Sequence, residues 1–268
     1  MTSRVLVLTV LVACGDLARP PLVDAPTPDP DAPGDTTAPP DDDAPPRIDL
    51  SCLGDPAPTT APDPLPITGK VFAIDHYDAQ PLANATVELR ARSGDTLLAT
   101  TASAADGAFA FAIASKGAPV DATLVVVAAG YRSVRGIPAE PFHATTPDAL
   151  LAVATDDEVA RWYGDAGAGS YAPGAPTLIT GTIDCTGRAI EGATLAVAPG
   201  AATLTYYDAR AKRWQPALAA STNGFALVTG AEDRITATAS GAGNQFPARE
   251  LVVAPGVLTL AVLSPSAP

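Results

Sequence analysis

Ile179-Thr180-Gly181-Thr182-Ile183-Asp184-Cys185, followed after a polar turn by Ile190-Glu191-Gly192-Ala193-Thr194-Leu195-Ala196-Val197, reads as a strand, a tight turn and a second strand. Apolar and polar residues alternate along each segment, the pattern of a strand buried on one face. The same grammar occurs earlier as Ile67-Thr68-Gly69-Lys70-Val71, then Pro81-Leu82-Ala83-Asn84-Ala85-Thr86-Val87-Glu88-Leu89. The chain therefore carries an internal repeat with a period of about 110 residues, which predicts two similar units. Gly192 and Asn84 stand at equivalent places before the second strand. These two residue types take a positive φ most readily, so a bend is expected at both.

The repeat extends in both directions. Strands are predicted over 67–74, 85–91, 96–101, 108–113, 123–128 and 149–153. Asp106-Gly107 in the first copy answers Asn223-Gly224 in the second, and each dipeptide suits a hairpin turn, with Phe109 or Phe225 opening the strand beyond. Short strands without helical crossovers predict an all-β chain of two tandem antiparallel β-sandwiches, each of about 90 residues. The first is expected at 66–154 and the second at 176–268.

Gly69-Lys70-Val71, Pro81-Leu82, Asn84-Ala85-Thr86-Val87, Asp106-Gly107-Ala108-Phe109 and Ala129-Gly130-Tyr131 resemble carboxypeptidase-regulatory-like domains, which have the transthyretin-like (prealbumin-like) fold. The second copy is more divergent, with nothing intact to match Gly130-Tyr131. The resemblance implies a sandwich, and it implies no particular activity, because modules of this kind serve many functions.

The amino terminus reads as an export signal over 1–13. Arg4 supplies charge, and Val5–Val12 is an apolar run well short of the ~20 residues that span a bilayer. Leu11-Val12-Ala13-Cys14 resembles the lipobox of bacterial lipoproteins, which implies lipidation of Cys14 by palmitate-type acyl chains and anchoring to a lipid bilayer. Gly15 rather than Asp follows the cysteine, which by resemblance to the sorting rules of enterobacterial lipoproteins implies the outer membrane or cell surface over the inner membrane. Residues 14–65 are dominated by Pro, Asp, Ala and Thr and are expected to form a disordered Pro/Asp-rich tether. Most of the net charge of −13 lies there, which argues against nucleic-acid partners.

Between the copies, Thr155-Asp156-Asp157-Glu158 fits a helix capping box, so 155–175 is expected to hold a short helix and a flexible linker. Trp162 on that helix is read as a plug in the seam between the sandwiches. Tyr207 and Trp214 lie on a basic hairpin tip, a composition able to stack on a glycan or meet an envelope protein; the other reading is core packing of Tyr206 with the rest exposed by chance.

No catalytic residues, cofactor or metal site are expected. The chain has only His76 and His143, each read as a loop residue, and no sequence motif for nucleophilic, zinc or nucleotide chemistry. Intradiol dioxygenases share the transthyretin-like grammar but bind iron through two tyrosines and two histidines, and neither histidine here stands in such a motif. The expected role is binding, adhesion or spacing without catalysis. The alternatives are a scaffold subunit of an envelope secretion or assembly complex, and an enzyme of unrecognised type.

Acylation of Cys14 leaves Cys52 and Cys185 in an exported chain, where disulfides persist. They are expected to pair, folding the end of the tether back onto the second unit; the alternative is two separate thiols.

Overall fold

A computed structural model describes residues 47–144, 146–199 and 203–266. The first half contains β1 (Leu65–Asp75), β2 (Asp78–Pro81), β3 (Thr86–Ala91), β4 (Leu97–Ala102), β5 (Ala108–Ile113), β6 (Ala122–Val127), β7 (Ser133–Ile137) and β8 (Thr146–Ala154). One helix, α1 (Asp156–Asp165), leads into the second half. There the strands are β9 (Thr177–Thr182), β10 (Thr194–Ala198), β11 (Thr203–Asp208), β12 (Arg213–Gln215), β13 (Phe225–Thr229), β14 (Arg234–Gly241), β15 (Asn244–Gln245), β16 (Arg249–Val252) and β17 (Val257–Leu263). The chain is all-β, as the alternation predicts.

The repeat is visible strand by strand. In the first half β1 pairs antiparallel with β5 and parallel with β8; in the second, β9 pairs in the same senses with β13 and β17. The opposing layers correspond too, with β3-β6-β7 answered by β10-β14-β16. Gly69 lies opposite Phe109 and Gly181 opposite Phe225. A Cβ at Gly69 would fall 2.5 Å from the Phe109 ring, and one at Gly181 3.0 Å from the Phe225 ring, so both glycines make room for the same aromatic.

The expected bends are present, with φ of 59° at Asn84 and 79° at Gly192. The two glycine turns take the positive φ expected of them but are not hairpins. Asp106-Gly107 carries the chain from β4 to β5, which lie in different sheets. Gly107 accepts a hydrogen bond from Val71 N–H at 2.9 Å, and Gly224 accepts one from Thr182 N–H at 2.8 Å. A Cβ at either glycine would meet the facing carbonyl oxygen, Val71 O at 2.4 Å or Thr182 O at 2.7 Å. These turns dock on the central strand, and the dipeptide signal alone does not separate that role from a hairpin.

The halves differ in their fourth strand. β4 extends the first half's layer beside β3, whereas β11 joins β13 in the opposite layer. Ser221 repeats the bonds of Ser103, with Gly192 N–H and Asn84 N–H donating to their carbonyls. No strand runs directly into Ser221 as β4 runs into Ser103, and the Tyr206 hydroxyl accepts the Leu195 N–H at 2.9 Å instead.

The tandem sandwiches are also fused. β7, the outer strand of the first unit, pairs in parallel with β17 of the second from Val257↔Ser133 to Ala261↔Ile137. This makes one nine-stranded sheet, ordered β12-β11-β13-β9-β17-β7-β6-β3-β4. One face of β9, β13 and β17 joins α1 and the first sandwich in a shared core through Ile179, Leu227, Leu258, Leu260 and Trp162. The other face packs on β10, β14 and β16 through Leu178, Val228, Ile235 and Leu251. These central strands are therefore buried on both faces, which accounts for near-continuous apolar runs such as Val257–Leu263.

Two expectations about the connecting segments are corrected. The 14–65 tether does not run free up to its predicted end, because residues 47–64 lie against the body: Cys185 N–H donates to Asp49 O at 2.8 Å, Ala61 N–H to Gly117 O at 3.0 Å and Ser115 Oγ to Pro62 O at 2.7 Å. The linker after α1 is also held, since the buried Arg132 donates to Tyr171 Oη at 2.9 Å and Ala175 O at 3.0 Å. Both segments are rich in Pro, Gly and Ala, and side chains elsewhere in the chain supply their anchors.

Candidate functional site

The segment that enters the body from the amino-terminal side is fixed by a short turn over 50–55, where Leu53 N–H donates to Leu50 O and Asp55 N–H to Cys52 O. The turn presents Cys52 to Cys185 just beyond β9, and the two sulfurs are bonded at 2.07 Å, with 5.7 Å between the Cα atoms. The paired alternative is thus the one present. Asp184 organises the other side. Its buried carboxylate accepts Asp49 N–H (3.2 Å) on one oxygen and, on the other, Thr186 N–H (2.8 Å), Thr186 Oγ1–H (2.7 Å) and Arg188 N–H (3.0 Å). These four donors fix the turn after β9 and tie it to the entering segment.

A cavity of about 110 Å³ lies beside the bond, lined by residues including Glu140, His143, Asp184 and Ser264. Burial pushes the Glu140 carboxyl above its usual range, while His143 and Arg249 pull the other way. Arg249 is itself buried and brought down to about 10, first by desolvation and then by the neighbouring Arg92. These groups sit where the β7–β8 connection, the second unit and the entering segment meet.

A second cluster forms where α1 meets the β1–β2 turn. His76 and Tyr77 take φ of 51° and 64°, so both N–H groups point the same way, towards Glu158. The Glu158 carboxylate is 1% exposed and accepts His76 N–H (3.0 Å), Tyr77 N–H (3.3 Å) and Trp162 Nε1–H (2.8 Å), with Arg161 at 3.3 Å. Thr155 caps the helix by accepting Glu158 N–H at 3.2 Å. The capping box is thus half used, because the Glu158 side chain crosses to the first sandwich instead.

Asp75, His76 and Glu158 each place a ligand-type atom within 4.8 Å of the others. The donor set does not fit a cation: Glu158 is already occupied by N–H donors, and His76 Nδ1 is engaged by Asp75 at 2.7 Å. The cluster is a polar lock between the helix and the first sandwich.

Tyr207 and Trp214 are buried, each 2% exposed, and belong to the shared core. The exposed aromatic tip is corrected. β11 and β12 pair Tyr207 with Trp214, and their rings meet edge-on at 5.2 Å, with Tyr77 5.8 Å from Tyr207. Together with Ile74, Ala79, Trp162 and Ile179 these rings surround a narrow slot of about 20 Å³, room for a water and not for a sugar. Trp162 fills the seam as its reading predicts, 3% exposed.

Cys14 lies outside the described residues. His76 and His143 fall in separate loops, one at the α1 lock and one at the disulfide cavity. The sequence reading missed Glu158 as a bridging carboxylate and Arg132 as the clamp on the linker. Local sequence offers no signal for either, because both act on partners distant in the chain. Among the described residues no helix is long and apolar enough to cross a membrane.

No protein-family description matches this chain, and no curated protein sequence matches it. Solved structures that it matches include the Bacillus anthracis TIE protein, at 10% identity and a TM-score of 0.24, over 75% of this chain and 34% of that one. A shaft pilin from Lactobacillus rhamnosus GG matches at 14% identity and 0.23, over 78% of this chain and 100% of the pilin. Hydroxyquinol 1,2-dioxygenase from Pseudomonas putida matches at 12% and 0.23, over 38% and 62%. The chain thus spans about a third of the length of the first of these. Scores this low carry no argument about function.

Proposed function

We propose that this chain is a non-catalytic lipoprotein of the bacterial cell envelope, held in a bilayer by acylated Cys14, in which two fused sandwiches of the carboxypeptidase-regulatory-like type serve adhesion, binding or spacing at the surface. The observation that carries the reading is the Cys52–Cys185 bond. Such bonds persist in exported proteins, and this one ties the end of the Pro/Asp-rich segment directly to the second sandwich. A load taken up at the surface therefore reaches the anchor through one covalent link, without passing along the first sandwich. The nine-stranded sheet joins the halves edge to edge, so a ligand meets a single rigid body. The titratable groups support the same reading: Glu158 and Asp184 are consumed by structural donors.

Membrane fractionation of the Cys14→Ser variant tests the anchor. Release into the soluble fraction supports it, and retention with normal signal processing contradicts it. A glycan array against a pull-down from envelope extract then separates an adhesin from a scaffold subunit.

A further inference from the structure

The nine-stranded sheet ends in two very different edges. At one end β12 is three residues long and carries Arg213, features that discourage strand addition. At the other end β4, Leu97-Leu98-Ala99-Thr100-Thr101-Ala102, has no charge and no proline along its whole length. Of the edges in the two smaller sheets, β5 (Ala108–Ile113) also lacks charge and proline but exposes no large apolar side chain, while β2 and β10 are guarded. β2 is four residues long and carries Asp78 and Pro81, and Tyr206 takes the Leu195 N–H of β10.

The bond from Ser103 N–H to Ala85 O sets the alternation of the β3–β4 ladder. Thr101 and Ala99 turn their backbone groups towards β3, opposite Val87 and Leu89, so the N–H and C=O of Thr100 and Ala102 point outward. No described strand pairs with them. Leu97 and Leu98 are 48% and 45% exposed, two of only six large apolar side chains so exposed among the described residues, and they are adjacent on this edge. A bulge against Leu89/Arg90 confines the regular edge to the stretch beyond Leu98.

We propose that β4 pairs antiparallel with β4 of a second copy about a two-fold axis through Thr100, giving a dimer that continues the nine-stranded sheet across the axis. The strand is self-complementary in that register. Thr100 faces Thr100, a favourable cross-strand pair, and Thr101 faces Ala99 of the second copy, with the exposed Leu98 flanking the pairing. No charge opposes a like charge along the strand, and the flanking Asp95 is already held by Arg135 at 3.0 Å. An isologous contact of this kind closes on itself, so neither copy keeps a β4 edge to recruit a third. It also removes from water the apolar edge that a monomer leaves open. The dimer would hold two binding surfaces and two anchors in one body, and it does not depend on the chain being anchored.

The test uses the full chain in a mild detergent and sedimentation velocity over a concentration series reaching high micromolar. The wild type is expected to reach a dimer. Thr100→Lys sets two like charges face to face and is expected to weaken association by about tenfold or more. Leu98→Lys provides a second exposed substitution, and circular dichroism with a thermal melt confirms that both variants fold. Thr100→Cys is expected to form a Cys–Cys cross-linked dimer under mild oxidation, because directly opposed residues of a hydrogen-bonded pair lie ~5.5 Å apart at Cα, within disulfide reach. A chain that stays monomeric throughout overturns the proposal. So does a dimer that both lysine variants leave intact, which would place the contact elsewhere. So does a monomer that captures uncharged extended peptides at β4 without self-associating.

Discussion

Replacing Cys52 and Cys185 together by serine removes the covalent link and leaves each side chain nearly isosteric. The bond spans 133 residues of chain. In the chain-entropy description, closing a loop of that size removes about 5 kcal/mol of conformational freedom from the unfolded state. Native hydrogen bonds around the junction, such as Cys185 N–H to Asp49 O and Asp49 N–H to Asp184, should keep the entering segment near its place in the variant. The expected loss is therefore ~2 to ~5 kcal/mol, the upper figure applying if the folded state is otherwise unchanged. Guanidinium unfolding of the oxidised wild type and the double variant, with tryptophan fluorescence as the signal, measures it. Trp162 and Trp214 both lie in the core shared by the two units, so the signal reports the fused body. Coincident transitions by fluorescence and far-ultraviolet circular dichroism justify one free energy. An unchanged midpoint and slope in the variant would refute the reasoning, because the loop would then not constrain the unfolded chain.

Three other outcomes are expected. Glu158→Gln leaves buried N–H donors facing a neutral amide and is expected to cost about 2 to 4 kcal/mol, read by thermal melt, with a shifted Trp162 emission because its indole N–H loses a charged acceptor. Gly107→Ala and Gly224→Ala force a Cβ into a facing carbonyl at positive φ and should each cost more than Gly192→Ala, where the φ is positive but the space is open and about 1 kcal/mol is expected. Glu140 has a carboxyl pKa raised by burial, so the folded state binds its proton more tightly than the unfolded state. Its contribution therefore falls as pH rises from the ordinary carboxylate range through the raised folded value. Glu140→Gln should raise stability at neutral pH relative to wild type, with the gain vanishing at acid pH, and paired denaturation curves at the two pH values check the sign.

The parts of this fold that read directly from the chain are those that depend on local pattern. β5 has the predicted bounds, Ala108–Ile113, because alternating Phe109 and Phe111 mark the buried face and Gly107 fixes the start. The positive φ at Asn84 and Gly192 followed from aligning the repeats. The pairing of Cys52 with Cys185 followed from counting cysteines and from apolar residues interrupting a polar segment. What escaped is non-local. β7, Ser133-Val134-Arg135-Gly136-Ile137, looks too polar for a central strand, yet it is the joint between the units, because it pairs in parallel with a strand more than a hundred positions later. The basic residues around Tyr207 and Trp214 suggest an exposed tip; with β11 in the other layer both rings lie in the core, and no local signal announces that switch.

Mass mapping of the protein isolated from cell envelopes, digested without reduction, tests the central claim most directly. The account predicts an amino-terminal peptide that begins at Cys14 and carries acyl chains, together with a cross-linked peptide joining Cys52 to Cys185. An unmodified Cys14 within a longer or differently cut amino terminus, or Cys52 and Cys185 recovered as separate thiols, would contradict it.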